Sequence, residues 1–278
     1  VPARPHALPH RRCRRRRLAT TLLVVGALAV LGACGGGSSS SSGSSRIATP
    51  SPAIGTAVDI ALPPNVADIP LTTASGKHTT LAAYRGEPVL IADFMTLCND
   101  VCPLISANVA SMARSLRADG YAGKVALLEI TIDPQRDNPA RLRAYQKLYG
   151  GSLPGWTLLR ADTAAGTATL WKNLGVGYQR IKEPKPADID WLTHKPLTYD
   201  IQHTDDVVFL DGRGHERFVI DGSPQIDGNG LPPALHHFLS NVGVKNLDHP
   251  HPVADWSVAE GMDVLSWLTD HRLAPEAS

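Results

Sequence analysis

The stretch Val89-Leu90-Ile91-Ala92-Asp93-Phe94-Met95-Thr96-Leu97-Cys98-Asn99-Asp100-Val101-Cys102-Pro103 changes character partway along. Val89 to Met95 is a short apolar run behind Pro88 and reads as a buried strand. A loop with two cysteines follows. Behind it Ile105, Val109, Met112 and Leu116 recur at steps of four, three and four, one face of a helix that Gly120 stops. Two thiols therefore stand between a strand end and the first turn of a helix, where a spacing of four brings both sulfurs to one side. The helix N-terminus favours the thiolate, which is both the nucleophile and the soft metal ligand.

The same grammar repeats outward from this unit. Val125 to Ile132 is β-rich, Asp133-Pro134 turns the chain, and Asn138-Pro139 supplies an N-cap with proline at the first helical position. That helix runs to about Tyr149. A strand near Trp156 to Leu159 leads to a helix from Thr163 to Leu174, and a Pro- and charge-containing loop spans Lys182 to Pro196. Asp206 to Leu210 and Glu216 to Ile220 flank Asp211-Gly212-Arg213-Gly214 as a hairpin. Pro233 to Val242 and Ser257 to His271 read as helices. Strands alternating with helices predict an α/β domain around a central mixed sheet flanked by helices.

Seven of the 27 Lys and Arg residues precede Cys34 and none of the 26 acidic residues does, leaving 20 basic against 26 acidic beyond it. A mildly acidic body is a poor match for a phosphate backbone, so no nucleic-acid partner is expected. Arg11 to Arg17 followed by the apolar run Leu18 to Ala33 is the pattern of an export signal, with an uncleaved N-terminal transmembrane helix as the alternative, although the run is a little short of the ~20 residues a span needs. The run ends in Leu31-Gly32-Ala33-Cys34, which resembles a bacterial lipobox with Cys34 as the lipidation site. Residues 1–34 are thus read as a signal peptide and 35–56 as a Gly/Ser/Pro linker with little to bury. Residues 57–278 are read as a single folded domain, held at a bacterial membrane on its extracytoplasmic side.

Cys13 leaves with the signal and Cys34 is consumed by lipid, so the folded part keeps only Cys98 and Cys102. In an oxidising compartment that pair is a disulfide or a protected metal site. Two-sulfur ligation suits Cu(I), whereas a structural zinc ordinarily takes four ligands.

Four segments together resemble the Sco/SenC family of thioredoxin-like copper-binding proteins. They are Asp93-Phe94, the CxDxCP order from Cys98 to Pro103, Thr131-Ile132-Asp133-Pro134-Gln135-Arg136-Asp137-Asn138-Pro139, and Tyr199-Asp200-Ile201-Gln202-His203-Thr204. The resemblance implies a thioredoxin-like fold for 57–278 and copper held by Cys98, Cys102 and His203, as Cu(I) and also as Cu(II). It implies a metallochaperone that passes copper to apo cytochrome c oxidase, at its binuclear copper site, or to another cuproprotein. The alternative is a thiol-disulfide reductase with Cys98 and Cys102 as its redox-active pair. A three-residue spacer and the absence of proline from Asp200 to Asp206 favour the metal reading. Asn99 stands where the family commonly has proline, and Gln202 where an acidic residue is common, which puts the tuning of His203 in question. Asp133, Arg136 and Asp137 are read as turn and capping residues, and Asp100 as a loop-biasing or partner-orienting group. His236, His237, His249 and His251 lie in a stretch, Pro224 to Val253, that has no counterpart in the resemblance; such a loose histidine cluster is able to scavenge Cu(II) but more often belongs to solvated loop.

Overall fold

The computed structural model describes residues 46–183, 185–226, 230–248 and 256–276. The signal reading, Cys34, residues 35–45 of the linker, His249 and His251 fall outside them. Among the described residues no helix is long and apolar enough to cross a membrane.

In chain order the elements are β1 (Thr56–Ala61), α1 (Pro64–Ala67), β2 (Leu71–Thr73), β3 (His78–Thr79), a 3-10 turn (Leu81–Tyr84), β4 (Val89–Phe94), α2 (Cys102–Ala118), β5 (Ala126–Thr131), α3 (Pro139–Leu148), β6 (Trp156–Ala161), α4 (Ala164–Asn173), β7 (Tyr178–Lys182), β8 (Tyr199–His203), β9 (Asp206–Leu210), β10 (His215–Asp221), α5 (Pro233–His236), α6 (Asn241–Asp248) and α7 (Val258–Thr269). Eight strands form one mixed sheet in the order β1-β10-β9-β4-β5-β6-β2-β3, and β7 pairs with β8 in a separate ribbon. β4, β5 and β6 are parallel, which requires crossovers that α2 and α3 supply. Every residue of β4 and β5 is buried, so both faces of the sheet centre are covered. This is the thioredoxin-like α/β arrangement implied above.

Local chemistry sets the boundaries. α2 ends in a Schellman motif: Gly120, at φ +71°, donates to the Arg117 carbonyl, and Tyr121 donates to the Leu116 carbonyl at 2.7 Å. α3 opens on Asn138, whose side chain accepts from the Arg141 amide, with Pro139 in the first turn. The β9–β10 turn forms as expected, with Asp211 accepting from the Arg213 amide and Gly214 at φ +81°. β9 lies antiparallel against β4, with Ala92 opposite Val207. The chain entering β9 therefore passes the end of β4 where the cysteine loop starts.

His203 is the last residue of β8, a short strand whose mixed polarity gives no strand signal in the sequence. Pro233 to Val242 is not one helix. α5 stops at His236, and Ser240 begins α6 because its hydroxyl accepts from the Val242 and Gly243 amides. Residues just before β1 already contact the body, with Ile54 packed on the core and the Ile47 amide donating to Asp270.

Glu129 on β5 is fully buried and receives the Ser106 hydroxyl and the Trp156 indole N–H, each at 2.6 Å. Burial outweighs those bonds and raises its pKa from 4.5 to about 7. A carboxyl whose folded pKa lies above its unfolded value contributes most below the unfolded pKa, and that contribution is lost as pH rises through about 7. Glu129→Gln keeps an acceptor for Trp156 and a neutral partner for Ser106. Urea unfolding at stepped pH is expected to show wild type losing on the order of 3 kcal/mol relative to this variant between about pH 4.5 and 7. Parallel curves for the two proteins would show that Glu129 titrates normally.

Candidate metal centre

The loop between β4 and α2 is folded back on itself. The Cys98 amide donates to the Met95 carbonyl, and the Cys102 amide, the first of α2, points at Cys98 Sγ at 3.4 Å. Cys98 thus precedes the helix rather than sitting in its first turn, with its sulfur at the helix N-terminus. Both cysteines are free thiols, 5 % and 0 % exposed. His203 reaches them from the end of the β7–β8 ribbon, its Nε2 lying 3.6 Å from Cys102 Sγ. One ligand atom from each of Cys98, Cys102 and His203 lies within 4.8 Å of the others, so the fold brings all three sequence-predicted residues together. Two sulfurs and an imidazole nitrogen, buried and converging, form a donor set suited to a soft cation.

The opposite ring nitrogen of His203 is held from behind. Its Nδ1 lies 2.8 Å from Asp93 Oδ2, 3.0 Å from the Thr204 carbonyl and 3.3 Å from Asp205 Oδ1. Asp93, the penultimate residue of β4, is fully buried, and its other oxygen accepts from the Asp206 amide. The acidic partner that Gln202 fails to provide comes from Asp93 and Asp205 instead. The signal for Asp93 was present, an acidic residue at the end of an all-apolar strand, yet its partner is remote in sequence.

Electrostatics separates the two thiols. Cys98 is held well below the ordinary thiol range, first by its hydrogen bond with Cys102 and then, against burial, by His203. Cys102 is pushed up by burial and by the adjacent Cys98 charge. Helix position was expected to favour the thiolate in both, but one buried pocket holds one negative charge more easily than two. Burial opposes the His203 imidazolium, but Asp93 and the Cys98 thiolate outweigh it and push its pKa up to about 12. Cys98 is thus the more acidic thiol and Cys102 the less acidic one, so a metal taken by all three ligands competes with protons at Cys102 and His203.

The polar residues after β5 hold this arrangement. Asp137, fully buried, accepts from the Thr96 amide at 3.1 Å and from the Thr96 and Thr131 hydroxyls at 2.5 Å. It thereby ties the start of the cysteine loop to the end of β5. Arg136 pairs with Asp133 and donates to the Tyr199 carbonyl at 2.8 Å, while Tyr199 donates its hydroxyl to Asp133. Tyr199 is stacked between the guanidinium groups of Arg136 and Arg180, at 3.8 and 3.5 Å from the ring centre. These residues position β8, and with it His203, rather than touching the thiols. Asp100 accepts from the Ser240 hydroxyl. Among the described residues, His236 and His237 join no cluster of metal-ligating side chains.

The family described as SCO1/SenC matches residues 64–226. A SCO1 protein homolog of Bacillus subtilis is 31% identical over 85 residues, 30% of this chain and 42% of that protein. The mitochondrial SCO2 homolog of Mus musculus is 27% identical over 150 residues, 54% of this chain and 56% of that one. The chain spans about half the length of these curated relatives. A solved structure of Bradyrhizobium japonicum ScoI with copper bound is 28% identical with a TM-score of 0.45, covering 56% of this chain and 87% of that one.

Proposed function

The chain belongs to the SCO1/SenC family, whose match spans more than half of it, and from that premise we propose that it binds copper through Cys98, Cys102 and His203 and delivers it to an apo-acceptor. The observation that carries this reading is the convergence of the three ligand atoms within 4.8 Å in a buried pocket. Thiolates suit Cu(I), and the imidazole keeps the site serviceable for Cu(II). Delivery proceeds by ligand exchange: an acceptor thiolate replaces one ligand at a time, and His203 and Cys102 recover their protons as they let go. The acceptor is the copper subunit of cytochrome c oxidase or another cuproprotein. The protein works outside the cytoplasm, tethered by lipid at Cys34, a reading supported by the Arg-rich segment, the apolar run and the lipobox-like end. Cys34→Ala protein that stays in the membrane fraction would argue against the lipid.

The decisive experiment titrates the reduced, anaerobic protein with Cu(I) under a competing chelator. One copper per chain is expected; a wild-type protein that retains none overturns the proposal.

A second reading, thiol-disulfide reduction, is favoured by the split between the two thiols. The Cys98 thiolate attacks a substrate disulfide and expels one substrate thiolate. Cys102 then loses its proton and attacks Cys98 Sγ, expelling the second and leaving a Cys98–Cys102 disulfide. A rate on a model disulfide no faster than that of a free dithiol excludes it.

A further inference from the structure

The cysteine loop is covered by a segment that lies beyond residues 64–226. Pro224 and Trp256 stand side by side and are bridged: the Gln225 amide donates to the Trp256 carbonyl at 2.7 Å and the Trp256 amide to the Ser223 carbonyl at 3.1 Å. Trp256 is fully buried and α7, which follows it, packs on α2, so this base is anchored. Between the ends, Leu231 and Leu235 are buried, and the chain then reaches the peptide that separates the two thiols. The Ser240 amide donates to the Asn99 carbonyl at 2.9 Å, and the Ser240 hydroxyl donates to Asp100. One turn into α6, Gly243 lies so close that a Cβ there would stand 2.4 Å from the Asn99 carbonyl oxygen and 3.0 Å from that of Asp100. Glycine weakens a helix interior, so its place here is explained by close backbone approach. The rest of α6 is held lightly, with Asn241, Val242, Val244 and Lys245 exposed.

We propose that Ser240 and α6, tethered to the body through the buried Leu231 and Leu235, form a flap that latches onto Asn99 and Asp100 and controls access to Cys98 and Cys102. The loop between the thiols cannot swing outward to present a sulfur while Ser240 and Gly243 grip it, so the latch opens before either cysteine meets a macromolecular partner. A helix held by two hydrogen bonds to the loop and by the half-buried Leu247 is of the kind that opens locally without global unfolding. The flap gates the thiols whatever they bind, so its test requires no copper.

The test is the reaction rate of the reduced, metal-free, full-length protein with a bulky aromatic disulfide under native conditions. Gly243→Ala strengthens α6 as a helix but drives it off the loop; Ser240→Ala removes the grip on Asp100 without adding bulk. Both are expected to react at least about tenfold faster than wild type, the factor that loss of hydrogen bonds of ordinary net strength produces in an opening equilibrium. Val244→Ala, on the exposed side of α6, is expected to react at the wild-type rate. Thermal unfolding run alongside identifies a variant whose whole fold has failed, in which case Ser240→Ala decides. A wild-type rate in folded Gly243→Ala or Ser240→Ala overturns the flap, even if copper binding is intact.

Discussion

Cys98→Ser is expected to abolish copper retention, lowering Cu(I) affinity by at least about a thousandfold, or ~4 kcal/mol. The reason lies in which thiol carries the charge. The Cys102 thiol and His203 hold the Cys98 pKa well down, whereas burial and the neighbouring Cys98 push that of Cys102 well up, so Cys98 is the thiol that gives up its proton first. A serine hydroxyl in its place is a hard, neutral oxygen that does not ionise at neutral pH, so one soft ligand and the charge of the site are lost together. The thiolate absorbance of the metal-free protein should vanish at neutral pH in the same variant, an independent reading of the assignment. Chelator competition in wild type and Cys98→Ser measures the affinity. Equal affinities would place the copper elsewhere on the chain.

Asp93→Asn should weaken Cu(I) binding about 10- to 100-fold, the usual consequence of removing the group that orients a metal-bound histidine. His203 points one nitrogen at Cys102 and the other at Asp93, 2.8 Å away, and Asp93 is itself fixed by the Asp206 amide. The amide is nearly isosteric, so packing is conserved while the negative charge behind the ring is removed. His203→Ala, which deletes the ligand, sets the upper bound and should weaken binding at least as much. Because His203 also favours the Cys98 thiolate, its loss should move the pH at which Cys98 becomes reactive upward. If Asp93→Asn binds as wild type does, the orientation of His203 rests on Thr204 and Asp205 alone.

These two predictions concern residues with unequal visibility. Cys98 and Cys102 stand four apart between an apolar run and a helical period, and their chemistry follows from residue type and spacing. His203 was found only because its neighbours resemble a family pattern, since its closeness to Cys102 spans 101 residues of chain. Asp93 was in plain view at the end of β4, but nothing local shows that it backs an imidazole. Gln202 pointed away from an acidic partner that the fold supplies from a different strand. Asp133, Arg136 and Asp137 were read as turn chemistry, which is close to what they do, although their bonds reach Thr96 and Tyr199 as well as their own turn.

By itself the sequence determined the parallel strands, the long helices, their caps and the position of the cysteine loop, because periodicity, glycine, proline and capping residues act over a few residues. Tertiary structure alone decided that β9 lies against β4 and so brings His203 to the thiols, that the surroundings make Cys98 the more acidic of the two, and that α6 grips the loop between them. Those outcomes depend on burial and on charges brought together by strand order, and neither is encoded within any single window of the chain.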